Sequence, residues 1–324
     1  MSCKALEITK TQDNSLRRVG FELEFSGLTL EQTTDAVQSA LGGEAQETTV
    51  AERRVRNEQL GDFNIELDWD FLKRQAKKSA DEDDPGEWLK HLGEAARLLV
   101  PIEVVCPPIP NDRIESLAPM IEALRKAGAV GTEDSLIAAY GLHINTEAPS
   151  LAAEVLHRYL RAFGLLQWWL VDAHQINISR KISPYIDLYP EDYLVRLLNQ
   201  DEVDIDDIFD DYLTYNASRN RALDLLPLLA ELDEDRVRKA IDDPKIKARP
   251  AFHYRLPDCH IERSDWSYCE GWNTWWLVEK LAQDEKKLNQ LGDAFLNREL
   301  PIIGVNRNDW TEYLDQWLKD QEWG

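Results

Sequence analysis

The sequence predicts an α+β fold in which one sheet carries helices on one side. Three observations lead there. Several short segments alternate apolar and polar residues at the two-residue period of a strand. The ionisable residues in those segments share one face, and the longer stretches between them repeat apolar residues at helical spacing. An apolar fraction of 43% suffices for a buried core, and no Pro/Ser-rich linker divides the chain. One domain over 17–324 is therefore expected, with a C-terminal helical part at 265–324.

The first strand is Arg18-Val19-Gly20-Phe21-Glu22-Leu23-Glu24-Phe25. Phe21, Leu23 and Phe25 take one face, and Glu22 and Glu24 the other. Residues two apart on a strand sit roughly 6.5–7 Å apart, a spacing that suits two carboxylates gripping different cations. Residues 1–16 are polar and unpatterned, which reads as a tail. Residues 29–41 read as a helix, with Thr29 and Gln32 in capping-box spacing and Gly42-Gly43 at its end. The strictest alternation follows: Phe63, Ile65, Leu67, Trp69 and Phe71 on one face, Asn64, Glu66, Asp68 and Asp70 on the other. Like charges on one face repel unless solvent or a cation relieves them. Residues 73–86 are charged and turn-rich, read as a solvated insertion or a flap.

Residues 88–99 look helical, and 100–108 form a β-rich run stopped by Pro107-Pro108. Glu103 is the only acid in that run, and an acid among apolar neighbours needs a partner. A helix over 112–127 closes at Gly128. Residues 138–146 contain Tyr140-Gly141-Leu142-His143-Ile144-Asn145, where His143 and Asn145 share a face and His143 reads equally as a structural residue or a ligand. Residues 151–176 form a long helix whose aromatics are core, and Arg180-Lys181 follows in a loop. Short acidic helices are expected at 193–198 and 204–213, then a basic cluster with Arg219 and Arg221, then a helix near Pro227. Salt bridges are the plainer account of those arginines; an anion site for phosphate is the sharper one, since arginine forks match phosphate oxygens. Residues 249–257 are a further strand, with His253 and Arg255 on one face. Cys259, His260 and Cys269 match no zinc spacing. Helices over 266–291 and 309–323 complete the chain.

Lys and Arg number 37 against 60 Asp and Glu, for a formal charge of −23. That charge argues against nonspecific binding to nucleic acid or to an anionic membrane. Four scattered cysteines point to a reduced compartment rather than a disulfide scaffold. With no apolar run of transmembrane length and no signal-peptide core, a cytoplasmic protein is expected.

The polar faces add up to an acidic, histidine-bearing wall. Divalent cations relieve the repulsion among such carboxylates, and oxygen ligands suit Mg²⁺ or Mn²⁺. Metal beside arginines able to hold phosphate describes phosphoryl transfer. Neither a Walker motif nor a dinucleotide fingerprint is present, and no nucleophile elbow supports serine hydrolysis.

The segments Gly20-Phe21-Glu22-Leu23-Glu24-Phe25, Glu66-Leu67-Asp68, Ile102-Glu103-Val104-Val105-Cys106-Pro107-Pro108, Gly141-Leu142-His143-Ile144-Asn145, Asn220-Arg221 and His253-Tyr254-Arg255 occur in an order that resembles the amidoligase family. That family belongs to the carboxylate–amine ligase superfamily, with glutamine synthetase and glutamate–cysteine ligase. The resemblance implies a glutamine-synthetase-like catalytic fold with a curved, mainly antiparallel sheet. It implies ATP and Mg²⁺, a substrate carboxylate activated as an acyl phosphate, and an amine that displaces phosphate. The partners would be small-molecule or peptide acids and amines, without nucleic acid or membrane. Carried over, Glu24, Asp68 and Glu103 would hold one metal, and Glu22, His143 and His253 another. Arg221 and Arg255 would neutralise the phosphoryl group. Asn145 would lie near the substrate, and Arg180 or Arg219 would contact phosphate or a substrate carboxylate. His253 stands where the superfamily commonly has Glu, which would loosen that metal or favour Mn²⁺. Cys106 replaces a usual serine, a change of packing. The alternatives are a member of altered chemistry acting as a binding or assembly partner, and a metal-dependent kinase or phosphatase.

Overall fold

The computed structural model describes residues 1–68, 100–133, 140–174, 186–300 and 304–323. The charged block at 73–86, the helix expected over 88–99, and Arg180 lie outside them. The chain forms two compact units: Met1–Cys3 with Arg18–Ile144 and Pro257–Glu270, and Lys4–Arg17 with Asn145–Leu256 and Gly271–Gly324. The fold is mixed helix and mainly antiparallel sheet.

In the first unit the strands are β1 (Arg18–Phe25), β2 (Glu44–Thr49), β3 (Glu52–Asn57), β4 (Gly61–Leu67), β5 (Ile102–Val105) and β6 (Ile109–Pro110), and β7 (Leu142–Glu147) begins there. They run in the order β2-β3-β4-β5-β1-β7, with β6 pairing the start of β1. The sheet is open and uncurled, not curved as the resemblance implies. Alternation decides which face is buried. Phe21, Leu23, Phe25, Phe63, Ile65, Leu67, Ile102 and Val104 are all at least 93% buried. Each such side chain contributes roughly 1.5–3 kcal/mol.

Helix α1 (Leu30–Leu41) packs on β2, β3 and β4 and against α2 (Ala118–Ala127). Its expected capping box is present: the Thr29 hydroxyl accepts from the Gln32 amide, and the Gln32 side chain accepts from the Thr29 amide. Such a cap adds about 1 kcal/mol. The helix expected over 112–127 is instead a 3₁₀ segment, Asn111–Leu117, leading into α2. Pro119 explains the break, because its ring and missing N–H oppose an α-helix running through it. Gly128 closes α2 with φ of 104°, a conformation that favours glycine.

Strands β2 and β3 were not anticipated. Their residues are mostly polar, and only Val55 among them is buried. They form the sheet's exposed margin, where Arg53 pairs with Glu47 at 2.7 Å. Also unanticipated is a disulfide between Cys3 and Cys269, whose Cα atoms are 4.7 Å apart. The pairing corrects the reading of four unpaired cysteines. A separation of 266 residues leaves no spacing signal.

The second unit is built on α3 (Ala153–Ala173), which packs against α4 (Glu191–Leu198), α5 (Ile205–Asn216), α9 (Glu285–Leu296) and α10 (Arg307–Asp320). Gly164 lets α4 come close, since a Cβ there would meet a Leu194 methyl at 2.7 Å. Between α5 and α9 lie α6 (Leu226–Leu232), α7 (Glu234–Ala240) and the body of α8 (Tyr268–Gln283). The helix expected over 266–291 breaks at Asp284, whose side chain accepts from the Lys287 amide and starts α9 afresh. A short antiparallel pair joins β8 (Leu223–Asp224) to β9 (Ala251–Tyr254). The expected tail packs here: Leu6 is buried, and the Lys4 amide donates to Asn273 Oδ1 at 2.8 Å. Fully buried Arg17 donates to Glu279 at 2.6 and 3.0 Å and to the carbonyls of Ile8 and Glu147. The Tyr159 hydroxyl donates to the same carboxylate at 2.5 Å.

Candidate metal centre

Strand pairing, more than strand identity, makes the acidic wall. Glu24 on β1 lies directly opposite Glu103 on β5, and Glu103 lies directly opposite Glu66 on β4. Glu52 on β3 continues the row opposite Glu66. Directly opposed side chains have Cβ atoms about 4.5–5.5 Å apart, and like charges at such positions are destabilising. The carboxyl group of Glu103 is accordingly held well above the usual carboxylate range. Burial is the larger cause, followed by the charges of Glu22 and Glu24, a hydrogen bond with Glu22, and the charge of Glu66.

β7 brings His143 to this row. Its Nδ1 is 3.0 Å from Glu22 Oε2, and its Nε2 is 3.7 Å from Glu24 Oε1. An ionised carboxylate can only accept, so in neutral imidazole the proton sits on Nδ1 and the Nε2 lone pair is left toward Glu24. Glu22 thereby orients the ring, as carboxylates do behind metal-bound histidines. Donor atoms of Glu24, Glu103 and His143 lie within 4.8 Å of one another, a group able to hold a metal ion. Gly141 fixes the end of the row: its amide donates to Glu24 Oε2 at 2.7 Å, and its carbonyl accepts from the Glu24 amide at 3.0 Å.

Of the ligand candidates in this unit, Glu22, Glu24, Glu103 and His143 come together. Asp68 does not join a ligand group among the described residues; it follows β4, with its amide bonded to the Pro101 carbonyl at 2.9 Å. Glu66, read only as a face neighbour of Asp68, is the residue the register sets beside Glu103. The buried Cys106 thiol is pushed up by burial and by Glu22, and takes no part as a thiolate.

In the second unit, His253 is buried on β9, with Nδ1 3.6 Å from Asp224 Oδ2. Asp224 was not singled out, although it stands alone in the apolar run Leu223-Asp224-Leu225-Leu226 just as Glu103 does in its own strand. Asn145 Oδ1 accepts from Arg249 Nη2 at 2.7 Å. Arg221 donates to the carbonyls of Leu188 and Tyr215 at 2.7 and 2.8 Å. Arg255 donates to the carbonyl of Arg219, whose own Nη1 lies 3.4 Å from Asp243 Oδ2. Backbone carbonyls therefore hold the guanidinium groups of Arg221 and Arg255 in fixed orientations.

No helix among the described residues is long and apolar enough to cross a membrane. A family model described as "Putative amidoligase enzyme" matches residues 15–277. No curated protein and no solved structure matches the chain.

Proposed function

Because the chain belongs to the putative amidoligase enzymes, we propose that it is an ATP- and Mg²⁺-dependent ligase forming an amide between a carboxylate and an amine through an acyl phosphate. The observation that carries this reading is the convergence of Glu24, Glu103 and His143 on one wall of the sheet. Their donor set fits a divalent cation: two carboxylates, a neutral nitrogen, and a crowd of like charge that a cation would relieve. Bound Mg²⁺ would supply charge neutralisation to a phosphoryl group in transfer.

The chain's own residues would act as follows. Glu24, Glu103 and His143 would hold the cation, and Glu22 would keep the His143 ring in the tautomer that exposes Nε2. The roles that the resemblance implies for Asp68, Asn145, Arg180, Arg219, Arg221, His253 and Arg255 belong to the same proposal, as does a glutamine-synthetase-like catalytic fold. In the reaction, a carboxylate oxygen of the substrate attacks the γ-phosphorus of ATP, and ADP leaves. The amine nitrogen then attacks the acyl carbon, phosphate departs, and the amine gives up a proton.

The test is incubation with ATP, Mg²⁺ and a panel of acids and amines. Amine-dependent phosphate release with amide in the product is expected, falling at least 100-fold in Glu24→Gln. Transfer of phosphate to a hydroxyl would mark a kinase instead, and absence of both nucleotide and metal binding would remove the reading.

A further inference from the structure

The first unit contains a second group of potential ligands that the ligase reading does not use. The segment 131–133 is drawn against the segment 259–262. The Thr132 amide donates to the Cys259 carbonyl, and the Glu133 amide to Glu262 Oε1, both at 2.8 Å. Gly131 permits the approach, since a Cβ there would sit 2.2 Å from Glu262 Oε2 and 2.4 Å from the Cys259 carbonyl oxygen. The result places one donor atom from each of Glu133, His260 and Glu262 within 4.8 Å of the others.

An independent observation concerns the imidazole. His260 Nδ1 is buried and has no hydrogen-bond partner among the described residues. A buried ring nitrogen without a partner is costly, so it points to something that would occupy it. Arg263 offsets the group only in part: its Nε and Nη2 bond Asp265 at 3.1 and 3.0 Å, and the same Nε forms a longer ion pair with Glu133 Oε2 at 3.7 Å.

We propose that Glu133, His260 and Glu262 form a second cation site, of the transition-metal class, with Zn²⁺ its best-matched occupant. One imidazole and two carboxylates make a mixed nitrogen–oxygen set, which Mg²⁺ does not favour and Zn²⁺ does. The two carboxylates balance the ion's charge, and three protein ligands leave a position for water. A tetrahedral centre with bonds of ~2.05 Å needs donors ~3.3 Å apart, so binding would draw these donors in from their present spacing of up to 4.8 Å. The sulfurs take no part: Cys269 is bonded to Cys3, and Cys259 is buried.

The experiment uses the full chain, stripped with chelator and titrated with Zn²⁺ or Mg²⁺ by equilibrium dialysis and elemental analysis. A Glu103→Gln background disables the acidic wall, so loss of turnover there with zinc retained keeps this site apart from the ligase reading. That background is expected to hold one Zn²⁺ equivalent, with at least tenfold preference over Mg²⁺. Adding His260→Gln should weaken zinc binding at least tenfold. Glu133 is exposed, so Glu133→Gln decides the matter even if the histidine variant fails to fold. Zinc affinity unchanged by Glu133→Gln, or no zinc bound in the Glu103→Gln background, overturns the proposal.

Discussion

Replacing Glu103 by glutamine should make the metal-free protein more stable. Glu103 stands directly between Glu24 and Glu66 across the strands on either side. Two charges about 5 Å apart interact by about 3 kcal/mol at an effective dielectric of 20. These side chains are only partly buried, so solvent still reduces each term to about 1 kcal/mol. At a pH high enough to ionise Glu103, removing one charge between two neighbours then gains about 2 kcal/mol, since glutamine keeps the shape; at lower pH the raised carboxyl is already neutral and the gain shrinks toward zero. Saturating Mg²⁺ or Mn²⁺ should reverse the ranking: a ligand at a hundred times its Kd adds about 2.7 kcal/mol to the wild type, and little to the variant. The measurement is urea denaturation with and without the cation. A variant that is less stable than wild type without metal, or one stabilised equally by it, would refute the reasoning that repulsion is stored on this wall.

Two further outcomes are expected. The Nε2 of buried His157 meets the Leu197 carbonyl at 2.9 Å, and burial, then the charge of Arg161, lower its pKa to about 4. The unfolded chain binds that proton from about pH 6.5 downward. The stabilising contribution is therefore complete above pH 6.5 and is lost as pH falls toward 4, which amounts to about 2 kcal/mol between pH 7 and pH 5; His157→Gln should flatten that part of the stability–pH curve, and an unchanged slope would count against it. Cys3→Ser should lower stability by about 2–5 kcal/mol, because the bridge closes a loop of most of the chain. Equal denaturation midpoints with and without reductant would show that the bridge does not form.

The strands that shape the acidic wall were legible because each has one strictly buried face: the period-two pattern of Phe21-Leu23-Phe25 and Phe63-Ile65-Leu67 leaves one orientation that hides the aromatics. Legibility stopped at register. Alternation says that Glu24, Glu66 and Glu103 each face the same way on their own strands, but not that Glu103 falls opposite both others. That depends on loop lengths and on which strands neighbour, both tertiary matters. The β2–β3 hairpin was silent because an exposed margin needs no apolar pattern. The break at Asp284 does carry a signal, an acid able to cap in a run of otherwise helical residues. The meeting of Glu133 with His260 and Glu262 had none, since more than 120 residues separate them.

The burial of Arg17 against Glu279 bears on how the chain is made. The two are 262 residues apart. At about 5–20 residues per second, the ribosome takes on the order of 13–50 s to supply the carboxylate after the arginine has appeared. During that interval the nascent N-terminal segment has a cation and no acid to receive it, so it cannot settle into its final position. The Lys4–Arg17 segment therefore docks late, only once the helix that carries Glu279 has been made.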